Sequence, residues 1–270
     1  MSEPLTFRAS LEAALERVEA NSASGESARI YLVLSGTSQA EPVRHFFDKD
    51  GLTALPLYLG TPYAGWQPVM PYLAEISMTS PFVDWIDSCD APDWGWAALS
   101  TEPMDSLFAH LRSLTQITIG KSGAAGKAVF FRHWDARFLA PLFDSLDSAH
   151  QAALLGPVSS WIAPDGKERL HPAAPVFDGE KAFPWFVLPP AAEQALASHC
   201  RDVLVDNTVA ALHKVEHSPI AAYPAPVARQ KVQRHLRRVI GDGPVTEIDQ
   251  TTLQTLQQRL QQEAERTHSR

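Results

Sequence analysis

The stretch VFFRHWDARFL, Val129 to Leu139, ends an apolar run in Arg132, Asp135 and Arg137, with Trp134 among them. Such a triplet fits three uses: a catalytic site, a phosphate clamp or a structural bracket. A guanidinium keeps its proton near neutral pH, so neither arginine is a general base. A carboxylate flanked by two guanidiniums is favoured as the anion, which is the wrong form for an acid at neutral pH. A planar Arg fork does suit a carboxylate and the main chain of a turn. The triplet is therefore expected to bracket the end of a buried strand, with no catalytic role.

The remaining chemistry is sparse. The sequence has no G-x-S-x-G, H-E-x-x-H, C-x-x-C or G-x-x-x-x-G-K-[ST] motif. GAAGK, residues 123–127, lacks the spacing and hydroxyl of a phosphate loop and reads as a turn. His213 and His217 stand four apart on a helical pattern, beside Glu216, with no third ligand at an obvious spacing, so solvent-facing histidines are expected. Cys89 lies among Asp87, Asp90 and Asp93, the wrong setting for a nucleophilic thiolate. Neither a metal nor another cofactor is expected. Two partner-binding candidates stand near the end of the chain. Arg234, Arg237 and Arg238 share a helix face, with no interleaved aromatic to stack a base. Leu253, Leu256 and Leu260 form a narrow stripe that suits either a neighbouring helix of the same chain or a coil-to-coil partner.

These residues need elements to place them. ARIYLVLSG (28–36), GWAALS (95–100), TQITIG (115–120) and AVFFRHW (128–134) read as strands, and ALPLYLG (54–60) as a strand with Pro56 suited to an edge. Leu11, Leu15 and Val18 mark a helix over 10–20. Ser80 and Pro81 open a second over 80–90, 101–114 forms a third, and Gly156 ends a fourth over 145–156. Alternation of strand and helix implies an α/β lobe over 1–162. Residues 163–189 are rich in Pro, Gly and charge and read as a linker with one hairpin. Three amphipathic stretches, 190–217, 226–243 and 246–266, make 190–270 a smaller all-helical lobe.

With 270 residues, 45% of them hydrophobic and 20% charged, the chain has an ordinary globular balance. No apolar run reaches the roughly 20 residues of a membrane span. The amino terminus lacks a secretory pattern, and the two cysteines, Cys89 and Cys200, suit a reducing compartment, so a cytoplasmic location is expected. Of the net charge of -8, residues 221–270 carry +3 and residues 1–220 carry -11. An acidic body disfavours nucleic acid as a partner.

The order of motifs resembles the Tap or TEC family, effector adaptor-chaperones of bacterial type VI secretion, long catalogued as a domain of unknown function. The residues carrying the resemblance are YLVLSGTSQAEPVRHFF, LYLGTP (57–62), MPYLAEI (70–76), FVDWI, WGWAALSTEPMDSLFAHLRSLTQI, FRHWDAR (131–137) and GPV (156–158). FRHWDAR matches a family pattern FR-[FY]-[YW]-D-P-R, with His133 where an aromatic is usual and Ala136 where proline is usual. The resemblance makes Arg132, Asp135, Arg137, Gly156 and Pro157 fold-defining positions. It implies a non-enzymatic protein that binds a toxic effector and loads it onto the VgrG spike or its PAAR tip, without nucleic acid or membrane. The alternatives are a hydrolase with a site between the two lobes and a nucleic-acid regulator using residues 229–238.

Overall fold

The computed structural model describes residues 6–21, 27–50, 53–120, 126–215, 218–221, 223–241 and 248–268. The chain divides into two compact units, Met1–Pro190 and Ala191–Arg270.

The first unit is an α/β structure. Its elements run α1 (Phe7–Asn21), β1 (Arg29–Leu34), α2 (Pro42–Lys49), β2 (Ala54–Pro56), β3 (Tyr72–Ile76), α3 (Pro81–Ser88), β4 (Gly95–Ser100), α4 (Met104–Ser113), β5 (Gln116–Ile119), β6 (Lys127–Phe130), α5 (Ala136–Ser145), α6 (Ser148–Leu155), β7 (Ser160–Ile162) and β8 (Glu168–Leu170). Six strands pair in the order β2-β3-β1-β4-β7-β8, every pair antiparallel. β5 and β6 form a separate antiparallel pair.

β1 and β4 are central, and helices cover both faces of the sheet. That is why their sequences are nearly continuous apolar runs instead of alternating ones. Ile30, Leu32, Leu34, Ala97 and Leu99 share one face and pack with Phe7, Leu11 and Ala14 of α1, Phe46 of α2, and Phe82, Val83 and Ile86 of α3. On the other face Trp96 meets the ring of Trp161 at 5.6 Å, and Phe143 of α5 meets Trp161 at 6.0 Å. A small apolar cavity behind Trp96 is walled by Leu111 of α4, Leu139 of α5 and Leu154 of α6. Gly95 has φ +141, and a Cβ there would overlap the carbonyl of Val33, so the close approach of β4 to β1 requires glycine at this point.

Three expectations change. The 54–60 stretch is extended only to Pro56, after which residues 57–60 turn, so β2 is a three-residue edge strand. The run from 128 stops pairing at Phe130, and a ten-residue helix, α5, begins at Ala136. Residues 163–189 are no free linker. β8 pairs with β7, His171 N–H donates to Ser159 O, and Val176 N–H donates to Gly156 O. Thr118 then exchanges two main-chain bonds with the segment, donating to Phe186 O and accepting from Leu188 N–H, each at 2.8 Å. Trp185 Nε1 donates to Ser113 Oγ, and Phe186 and Leu188 are buried. The segment is sewn to the first unit by these long-range pairs, so 163–189 joins the α/β unit, and the boundary between units falls at 190, where the helical lobe was expected to begin.

The second unit holds α7 (Pro190–His213), α8 (Ala225–Ile240) and α9 (Gln250–His268). Leu204, Val205 and Leu212 of α7, Ala228, Val232 and Leu236 of α8, and Leu256 and Leu260 of α9 form its core. None of the described helices is long and apolar enough to cross a membrane.

Candidate functional site: a charged brace at the start of α5

Phe131, His133 and Trp134 turn inward after β6 and are buried. Phe131 N–H donates to Thr115 O, and Trp96 Nε1 donates to His133 O, which fixes the turn against the sheet. Asp135 then sits at the N-cap of α5, in extended backbone, and its Oδ1 accepts from Arg137 N–H at 3.1 Å. An N-cap carboxylate satisfies an otherwise orphaned amide and lies at the positive end of the helix.

The same carboxylate, 1% exposed, collects both guanidiniums. Arg137 Nε donates to Oδ1 at 2.9 Å and its Nη2 to Oδ2 at 2.7 Å, a bidentate fork. Arg132 Nη2 donates to Oδ2 at 3.2 Å. Asp135 also holds the Arg137 guanidinium more firmly protonated than usual, through hydrogen bonding first and its charge second. The brace reaches two other loops. Arg137 Nη2 lies 3.4 Å from Asp93, just before β4, and Asp93 accepts from Ser38 Oγ at 2.8 Å. Arg132 Nη2 donates to Thr37 Oγ1 at 3.4 Å. Three segments distant in sequence, 37–38, 93 and 132–137, are thus tied together. Among the described residues, the contacts of the Asp135 carboxylate serve the N-cap or a guanidinium, an arrangement that holds backbone.

Asp93, Ser38 and Thr37 were not legible as members of this site. Thr37 and Ser38 stand in a small-residue turn, and Asp93 stood out only as a neighbour of Cys89. Two buried imidazoles were also missed. His133 is 1% exposed, neither ring nitrogen has a partner among the described residues, and burial pushes its pKa down to about 3. His110 is pushed down to about 4 by burial, although its Nε2 donates to Leu154 O at 2.9 Å. A cavity of about 190 Å³ beside His110 also meets His171, Asp178 and Lys181. His171 Nδ1 is itself 2.6 Å from Ala173 O, so both imidazoles are engaged by main-chain carbonyls.

The other expected positions lie apart from the brace. Gly156 caps α6 at φ +55, and a Cβ there would overlap the His110 ring, so glycine is required by both backbone and packing. Pro157 O accepts from Ser100 Oγ, joining this turn to β4. Leu256 and Leu260 are buried in the second unit, and Leu253 packs against the same cluster. Within this chain the stripe packs against apolar residues of α7 and α8. Arg234 pairs with Glu263 of α9, which also binds Lys231 and His235. These donors, Arg234 first, hold the Glu263 carboxyl well below the usual range. Arg237 and Arg238 are exposed near the end of α8. His213 is exposed, while His217 and Glu216 lie outside the described residues. No group of three or more His, Cys, Asp or Glu among the described residues is arranged to hold a metal ion.

The brace and its three loops bear on kinship. Residues 30–153 match the family model Domain of unknown function (DUF4123). The match runs from β1 into α6 and contains the whole brace. It covers under half of the chain, stops short of Gly156 and Pro157, and leaves the helical unit outside. No curated protein and no solved structure matches the chain.

Proposed function

We propose that this protein is a non-enzymatic adaptor that binds a toxic effector and loads it onto the VgrG spike, or its PAAR tip, of a bacterial type VI secretion system, acting in the cytoplasm. The observation that carries the reading is the match of residues 30–153 to a domain family coinciding with the motif order that resembles the secretion adaptors. The site chemistry supports it. The Arg132–Asp135–Arg137 group is taken up in holding three loops, which is structural work. Trp66, 48% exposed, meets the half-buried rings of Tyr63 at 4.9 Å and Phe130 at 5.4 Å, and an exposed tryptophan of this kind suits a partner contact.

The test is co-expression of the tagged chain with the toxin and spike encoded beside it. The reading expects a complex that survives gel filtration with one or both. A monodisperse adaptor that captures neither, in the presence of both, contradicts it.

A further inference from the structure

We infer that the outer face of α7 and α8 is a docking groove for an acidic, amphipathic segment of a protein partner. This rests on the adaptor reading and adds the chemistry of what the adaptor holds. The groove has a volume of about 750 Å³, in the range of sites that accept several side chains. Five cations line it, Arg201 from α7 and Lys231, Arg234, Arg237 and Arg238 from α8, and no carboxylate does so among the described residues. Glu263 of α9 pairs with Lys231 and Arg234, and Arg201 donates to Gly241 O at 3.1 Å. The apolar lining is Val205, Val227 and Leu236, of which Val227 is exposed.

The sequence explains why such a face exists. Ala228, Val232 and Leu236 point α8 into the core of the unit. Val227, Lys231, Arg234 and Arg238 recur at spacings of three and four, so they stack along one other side of the same helix. A valine framed by cations matches a partner helix presenting one apolar stripe flanked by carboxylates. Complementary charge then favours encounter and orientation. Nucleic acid fits less well. Among the described residues no aromatic lines the groove to stack a base, and the chain as a whole carries -8.

The experiment uses the full chain and a fluorescent amphipathic peptide with leucines on one stripe and glutamates elsewhere. The same peptide with lysines for glutamates, and a duplex DNA, serve as comparisons. We expect the acidic peptide alone to bind, with affinity that falls as salt rises. Arg237→Gln with Arg238→Gln should weaken it by about tenfold or more, roughly 1.4 kcal/mol. Val227→Glu, at an exposed position, should weaken it similarly with an unchanged melting temperature. Arg229→Gln should leave binding intact, because neither Arg229 nor its partners Asp202 and Asp206 line the groove. Absence of peptide binding, equal binding by the groove variants, or tighter binding of DNA overturns the inference. Cargo capture undiminished in the groove variants overturns it while leaving the adaptor reading intact. Peptide binding with no cargo capture by the wild type supports the groove and contradicts the adaptor.

Discussion

Asp135 combines two roles that substitution separates. As N-cap it accepts from Arg137 N–H, and as an anion it pairs with Arg132 and Arg137, whose side chains are 43% and 44% exposed. Solvent screening at the arginines limits the ionic part, so the cap contributes a large share. Asp135→Ala should lower stability by about 1–3 kcal/mol in urea denaturation. Asp135→Asn, which retains a capping oxygen, should recover much of that loss; equal losses for the two would assign the effect to the ion pairs. His133 offers a second residue-scale test. Its pKa and that of His110 are lowered in the fold, so the unfolded chain takes up their protons first. Stability from keeping both neutral is fully present above the ordinary histidine value of about 6.5 and is lost as pH falls toward about 4 for His110 and about 3 for His133. The denaturation free energy should fall there by up to about 1.4 kcal/mol per pH unit for each histidine. His133→Phe, which places an aromatic where the resembled family has one, should reduce that slope and raise stability by about 1–2 kcal/mol, because two unpartnered nitrogens leave the core. An unaltered pH profile in this variant would show that His133 does not titrate with unfolding.

At the scale of elements, the segment 163–189 is the sharpest departure from its sequence. If it belongs to the first unit, Phe186→Ala and Leu188→Ala should each cost about 2–5 kcal/mol; a linker would tolerate both within about 0.5 kcal/mol. Differential urea melts of the two variants decide this. The segment was illegible because its Pro and Gly content describes local backbone only. The pairing of Thr118 with Phe186 and Leu188 spans about 70 residues and leaves no local periodicity. α5 was hidden for a related reason: Asp135 read as an ion-pair partner, although its position also makes it an N-cap, and Pro141 inside the helix weakened the helical signal. β1, β4 and α3 were legible because their signals are local. Two-sided burial makes continuous apolar strands, and Ser80 with Pro81 announces a helix start that the Ser80 hydroxyl does cap. The Arg132–Asp135–Arg137 triplet was visible in the same way, whereas Ser38 and Asp93 join it only through the fold.

For the whole molecule, the two units carry different information. The matched domain lies entirely within the first unit, where the brace and the sheet form one packed α/β body. The second unit lies outside the match and spends its leucine stripe on its own three-helix core, while the proposed groove is lined by α7 and α8. If this chain delivers cargo to a secretion spike, as proposed above, secretion of that cargo depends on it. Cargo toxin in the culture medium should be measured by immunoblot in the wild-type strain, in a strain lacking this chain, and in that strain complemented. Cargo should disappear from the medium on deletion and return on complementation, while export of the secretion tube continues unchanged. Cargo export that is undiminished without this chain would rule out the adaptor function.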